Sequence, residues 1–455
     1  MGFFHHSVHS GSDKVCFPIF HSMERPEHKQ NYFFTALFTL ILSIGTFFAF
    51  KALLPERLFA KQGHSDISDI TELEVADIDT TAAVAEYAPF DGLVHFFQKL
   101  FTLEETKKGS VRIAYFGDSM IESDLIVQDI RKDYQRKFGG QGIGFVPLSS
   151  LSPFFNGSIR YEYSPEWNTY CDLCSKNSPP SSLGISGYVS YANAGSSIWT
   201  SYKRGGVSLA RPRLFYGKSN NSDAKMLITI DNEVIDSVQL KPTGILNKHS
   251  LNSLPRELKF QFDNAESIPF YGVDFSGGSG VNIDNFALRS NSGLPLGNLN
   301  AALMNAFQRE FNYDLIVLQF GANVLNSEKT EYDWYANRMI KVVNHLKICF
   351  PNADILVISQ ADKSMKYGKE IKTDTALAPL LRAQEKYARN TSSAFLDLFQ
   401  LMGGEGSMVK WASEEPPLVR SDYTHFTGAG AKKIGDLIFE KLDQEYEDFK
   451  RRKNE

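Results

Sequence analysis

The chain has 455 residues, 42% of them hydrophobic and 22% charged, with a formal net charge of -5. At roughly 150 residues per domain that length allows two to three folded units with a substantial core. The acidic balance and the lack of a long basic stripe argue against a nucleic-acid-binding protein.

Residues 1–31 read as an N-terminal tail. Residues 32–50, YFFTALFTLILSIGTFFAF, form an uncharged apolar run bounded by Lys29 and Lys51, long enough to cross a bilayer core as one helix. The apolar stretch of a signal peptide is usually shorter and nearer the N-terminus, so an uncleaved transmembrane anchor is expected. Lys14, Arg25 and Lys29 precede the run and Lys51, Arg57 and Lys61 follow it, so charge leaves its orientation open. A single N-terminal anchor in the cytoplasmic membrane most simply leaves the rest on the periplasmic or extracellular side. Residues 51–88 are acidic and rich in small residues, the composition of a spacer.

From residue 90 onward, Leu93, Phe96, Phe97, Leu100 and Phe101 follow a helical period. The run V-R-I-A-Y-F at 111–116 predicts a buried strand that ends in Gly117-Asp118-Ser119. Ile126, Ile130, Tyr134 and Phe138 then recur every four residues and mark one face of a helix. Ser119 therefore sits at a strand-to-helix turn, with the N–H groups of the helix start nearby. The glycine-rich run at 139–144 follows a helix rather than a strand and reads as a turn, not a phosphate-binding loop.

Over residues 147–284 the helical period fades. Short alternating runs between Gly, Ser, Asn and Pro clusters predict an inserted all-β sandwich or jelly roll. Its aromatics, among them Trp167, Tyr170, Tyr188, Tyr191 and Trp199, are either sandwich core or surfaces on which sugar rings could stack. Cys171 and Cys174 lie close enough for a loop disulfide or stand as two thiols, since a closed zinc site needs two further ligands. Cys16 and Cys349 are lone cysteines. His95, His249 and His345 show no metal-ligand spacing.

Strand and helix patterns alternate again over 285–455. Strands are predicted at 314–320, 353–360 and 394–399, with a helix over 332–350 and a last helix capped by Thr427. Together with residues 89–146 they imply a mainly parallel sheet covered on both faces, which binds ligands at the carboxyl ends of its strands.

The chemistry-bearing residues fall at those ends. Ser119 lies in Gly-Asp-Ser and Gly293 in Arg-Ser-Asn-Ser-Gly. Asn323 lies in Gly-Ala-Asn, directly after a strand, and Asp422 and His425 lie in Asp-Tyr-Thr-His before the last helix. A serine hydroxyl needs a base to become a nucleophile. His425 is placed to be that base, and Asp422 to orient it and stabilise its cation. The N–H of Ser119, the N–H of Gly293 (Gly280 is the other candidate) and the amide of Asn323 are candidate donors to an oxyanion. Such a triad requires no metal or cofactor.

These blocks, in this order, resemble the SGNH (GDSL) hydrolases. The resemblance covers roughly residues 90–145 and 285–445. Met402-Gly403-Gly404, Ser407-Met408, Trp411 and the β-rich insertion narrow it to the bacterial peptidoglycan O-acetylesterases, which carry an inserted carbohydrate-binding-module-like domain. It implies a flavodoxin-like α/β/α sandwich, with Ser119, Asp422 and His425 as triad and Ser119, Gly293 and Asn323 as oxyanion donors. It also implies an O-acetylated cell-envelope polysaccharide as substrate. Two positions depart from the common pattern: Ser123 stands where many relatives have glycine, and Val324 where many have aspartate. An O-acetyltransferase using the same triad and a non-catalytic glycan-binding protein are the other readings.

Overall fold

The computed structural model describes residues 87–150, 157–175, 177–195 and 197–455. The apolar run at 32–50 lies outside them. Among the described residues no helix is long and apolar enough to cross a membrane.

The chain enters through α1 (Val94–Thr106), β1 (Ser110–Gly117), α2 (Val127–Phe138) and β2 (Gly142–Val146). Ten strands follow: β3 (Arg160–Tyr163), β4 (Trp167–Cys171), β5 (Tyr188–Ala192), β6 (Ile198–Lys203), β7 (Arg213–Tyr216), β8 (Lys225–Ile230), β9 (Glu233–Gln239), β10 (Asn247–Ser250), β11 (Glu257–Asp263) and β12 (Phe270–Ser276). Then come β13 (Gly280–Ala287), α3 (Ala301–Phe311), β14 (Leu315–Gln319), α4 (Asp333–Cys349) and β15 (Asp354–Ile358). The hairpin β16 (Ser364–Tyr367) and β17 (Glu370–Thr373), α5 (Leu377–Asn390) and β18 (Ala394–Leu396) precede α6 (Leu398–Leu401), α7 (Ser407–Ala412) and α8 (Gly428–Asn454).

The central sheet has the order β13-β1-β14-β15-β18, and every pairing is parallel. Counted in chain order these five strands run 2-1-3-4-5, the flavodoxin-like order. From Val111 onward β1 is buried throughout, as a strand covered on both faces must be. One face, with Val111, Ile113 and Tyr115, packs under α1, α2 and α8. The other, with Ala114, Phe116 and Ile316, packs under α3, α4 and α5. The three-layer core read from the sequence is present.

Among the described residues, the antiparallel strands β2 to β12 form two sheets. One has the order β10-β7-β12-β5-β4, with β2 also on β12, and the other β3-β6-β11-β8-β9. Their shared core includes Tyr202, Phe260, Phe262 and Phe275. Among the described residues, sandwich and central layers belong to one compact unit. They are joined partly by rings: Phe145 and Phe215 of the sandwich meet Phe307 and Phe311 of α3. Truncating one such ring typically costs about 3–5 kcal/mol.

A buried charge network crosses the same junction. Arg112 on β1 binds Asp284 through Nε at 2.7 Å and Asp274 through Nη2 at 2.6 Å. Arg213 binds the other oxygen of Asp274 at 2.7 Å, and the Tyr313 hydroxyl donates to Asp284 at 2.6 Å. Arg112, Asp274 and Asp284 are all buried. Burial alone would raise the Asp274 carboxyl, but Arg112, Arg213 and Ser276 bring it down to about 2. Two carboxylates facing two guanidinium groups satisfy one another, which a lone buried charge cannot do.

Two boundaries differ from expectation. The sandwich was expected to begin at 147, yet Gly142–Val146 already pairs with β12. It was expected to end at 284, yet the strand from Gly280 pairs with β1 in the central sheet. The 139–144 run was expected to be a turn. Gly142 (φ +93°) instead opens β2, where a Cβ would lie 1.9 Å from the Phe275 carbonyl oxygen. Only glycine permits that approach.

Candidate active site

The site lies where the strand order reverses, at the carboxyl ends of β1 and β14, the usual ligand position in such sheets. A cleft of about 590 Å³ opens there, lined by Ser119, Arg289, Ser290, Asn323, Arg420, Asp422 and His425 among others.

Ser119 Oγ lies 3.0 Å from His425 Nε2. His425 Nδ1 lies 2.8 Å from Asp422 Oδ2. The three-residue spacing works because Asp422 also closes its own turn: Oδ1 accepts the N–H groups of Thr424 and His425, each at 2.9 Å. Burial pushes the Asp422 carboxyl up, but these N–H groups and the imidazole outweigh it and hold the carboxyl below its ordinary value. The loop is tied down at Arg420, whose N–H donates to the His425 carbonyl at 2.8 Å. It is tied again at Thr427, whose hydroxyl caps α8 by accepting from Gly430 N–H. The pair stays open to solvent, with the His425 side chain 36% and the Asp422 side chain 49% exposed.

The Ser119 turn is built differently. The helix after it does not start at once. Between Ser119 and α2 lies a short turn, Glu122–Asp124, in which Ser123 (φ +62°) and Asp124 (φ +63°) are left-handed. The expected strand-to-helix turn is therefore a longer, strained loop, and the first N–H groups of α2 belong to residues from Val127 on. Asp124 anchors it through a buried bidentate pair with Arg131, at 2.7 and 3.0 Å. Asn285 of β13 also holds the loop, donating to the Ile121 carbonyl at 2.9 Å.

Beside the serine, Asp118 is 1% exposed. It accepts from Met120 N–H at 2.9 Å and from Asn323 Nδ2 at 3.1 Å. Burial raises its carboxyl to about 6, against the pull of Met120 N–H, His425 and Asn323. Asn323 reaches the cleft, but its amide hydrogens already serve Asp118 and the Asn291 carbonyl, the latter at 3.0 Å.

Gly293 is not where it was expected. It is buried, its N–H donates to Asn291 Oδ1 at 2.8 Å, and a Cβ there would meet the Phe320 ring at 2.9 Å. It faces core, not cleft. Gly280 lies at the opposite end of the sheet, paired with Ser110. The part of that loop that lines the cleft is Arg289 and Ser290 (φ +63°). Among the described residues, the N–H groups of Ser119 and Ser290 have no acceptor. A serine in a left-handed turn gives no glycine signal, so sequence reasoning passed it over. Asp118 was hidden by its neighbour, and Arg289, Arg420 and Glu122 by being ordinary charged residues.

Of the insertion aromatics, Trp167, Tyr188 and Tyr191 are buried, while Tyr170 and Trp199 are half-buried. Cys171 and Cys174 form a disulfide, and Cys349 is free and buried.

No family model and no curated protein matches the chain. An acetyl xylan esterase structure covers 36% of this chain and 81% of its own, at 15% identity and a TM-score of 0.26. A family two carbohydrate esterase from Cellvibrio japonicus covers 65% and 99%, at 11% identity and a TM-score of 0.26. Neither superposes closely on this chain. A peptidoglycan O-acetylesterase structure covers 78% of this chain and 96% of its own, at 17% identity and a TM-score of 0.65. This chain shares the fold of that peptidoglycan O-acetylesterase over nearly that protein's whole length.

Proposed function

We propose that this protein is a serine esterase of the SGNH type that removes O-acetyl groups from a cell-envelope polysaccharide, with peptidoglycan as its substrate. The observation that carries the reading is the relay from Ser119 Oγ to His425 Nε2 at 3.0 Å and from His425 Nδ1 to Asp422 at 2.8 Å. It stands in a cleft at the sheet's switch point.

His425 takes the Ser119 proton as Oγ attacks the ester carbonyl, and the Ser119–acyl bond forms. Asp422 holds the imidazole and stabilises its cation. The tetrahedral oxyanion meets the N–H groups of Ser119 and Ser290, with Ser290 in the part assigned to Gly293 from the sequence. Asn323 joins once its amide gives up one present partner. The intermediate collapses as the carbon–oxygen bond to the sugar breaks, and His425 passes its proton to the leaving sugar oxygen. Water, deprotonated by His425, then releases acetate. The half-exposed His425 and open cleft favour water over a sugar acceptor, hence hydrolysis over acyl transfer. The shared fold supports a polymeric sugar substrate. The 32–50 run would anchor the catalytic unit on the periplasmic or extracellular side, through the spacer at 51–88.

The test is acetate release by the full-length protein in detergent, from p-nitrophenyl acetate and from O-acetylated peptidoglycan, beside Ser119→Ala. Release abolished by the substitution supports the reading. Equal release by the variant sinks it. A protease-protection assay on intact cells that found the C-terminal unit on the cytoplasmic side would overturn the topology.

A further inference from the structure

Among the described residues, the cleft carries one cation with no carboxylate paired to it. On one wall Arg289 is paired with Glu122, so those two charges cancel. Asp422 is paired with His425. Arg420 stands differently. Its main chain is held by the Arg420 N–H to His425 carbonyl bond at 2.8 Å and by Tyr423 N–H to its own carbonyl at 3.0 Å. Its Nε donates to the Phe426 carbonyl at 3.2 Å. Among the described residues no carboxylate lies within 4.0 Å of its guanidinium, while Arg112, Arg131, Arg213 and Arg289 each have one.

Anchoring through Nε leaves the two terminal nitrogens of the fork for a ligand. A guanidinium held on one edge is pre-organised for a planar, two-oxygen acceptor and loses little freedom on binding it. Arg420 is exposed in the same cleft as Ser119, so the free edge of its guanidinium is open to an anion that the substrate brings.

We propose that Arg420 binds a carboxylate of the substrate, so that the acylated glycan this cleft accepts is an acidic one. The inference rests on the esterase reading above and adds the substrate's charge and the residue that reads it. The carboxylate belongs either to a sugar acid beside the acetylated unit or to a peptide attached to the glycan. Both present the same chemistry to a guanidinium.

The test compares three O-acetylated glycans with the full-length protein in detergent. These are muramoyl glycan strands freed of peptide, which expose a lactyl carboxylate, the same strands with their peptides, and a neutral chito-oligosaccharide. The wild type is expected to favour at least one acidic glycan over the neutral one in kcat/KM by about tenfold or more, the worth of a charged hydrogen-bonded pair. Preference for the peptide-free strands assigns a sugar carboxylate, and preference for the peptide-bearing ones assigns the peptide. In Arg420→Gln that ratio is expected to collapse toward one through KM. In Arg420→Lys, which keeps charge but loses the fork, it is expected to recover in part. Thermal melts confirm that each variant is folded, and a misfolded Gln variant leaves the Lys variant and the wild-type ratio as the readout. Equal efficiency on all three glycans in the wild type, or a ratio unchanged in the folded Gln variant, overturns this assignment alone. No acetate from any glycan or from p-nitrophenyl acetate overturns the esterase reading and this assignment with it.

Discussion

The two loops that meet at the cleft place their aspartates in opposite surroundings. In the Ser119 turn, Asp118 is 1% exposed and its carboxyl is pushed up to about 6. In the loop before α8, Asp422 has a 49% exposed side chain and its carboxyl is held low by N–H groups of its own turn and by the imidazole. The serine side is a strained turn locked by polar bonds to Asn285 of β13, Asn323 in the loop after β14 and Arg131 of α2. The histidine side is a self-closing loop open to water. Ser119 is positioned by long-range packing, and His425 by local hydrogen bonds.

Breaking the relay tests where the two loops meet. Ser119→Ala is expected to lower kcat/KM for ester hydrolysis by about 10⁴-fold or more with an unchanged melting temperature, since it removes the proposed nucleophile and nothing from the core. Steady-state kinetics and a thermal melt read both quantities.

The packed side is expected to show its losses in stability. Asp274→Ala leaves Arg112 and Arg213 without their shared carboxylate, a change that typically costs about 3–5 kcal/mol. Urea denaturation reads this. The Asp274 carboxyl is depressed in the fold, so its contribution is present above the ordinary carboxylate value and is lost only as pH falls through about 2.

Asp118 has the opposite sign. Its folded value lies above the unfolded value of 3.8. Its contribution is therefore full below that pH and is lost as pH rises through about 6. Asp118→Asn removes this titration. Between pH 4 and pH 7.5 the stability of the wild type relative to the variant is expected to fall by up to about 3 kcal/mol. A pH-independent difference in urea midpoints would erase the contrast between the two aspartates.

Asp422→Asn is expected to lower kcat by about 10²-fold, less than for a buried triad carboxylate, because water already screens this one. A loss as large as that of Ser119→Ala would show that the loop closes over substrate. The smallest effect belongs to Ser123→Gly. Relief of its left-handed φ is expected to stabilise the fold by at most about 1 kcal/mol, partly offset by the freedom glycine gains when unfolded.

What the sequence by itself determined is local in origin. The four-residue period of Ile126, Ile130, Tyr134 and Phe138 marks the buried face of α2 and of the residue just before it, and all four are buried. The buried run after Ser110 is a central strand, and Thr427 caps α8. The spacing of Asp422 and His425 is legible because one turn makes the contact. The tertiary structure decided which groups meet across 100 residues or more. It set Asn323 on Asp118, brought Asp274 and Asp284 to Arg112, and turned Ser290 rather than Gly293 toward the cleft. Hydrogen bonds within a turn or a helix are set by a few adjacent residues, so they can be read in order along the chain. An ion pair between Arg112 of β1 and Asp274 of β12, or the side of a loop that faces a cleft, depends on how whole layers pack. Many residue pairs would satisfy the same charge or the same donor, and packing selects one.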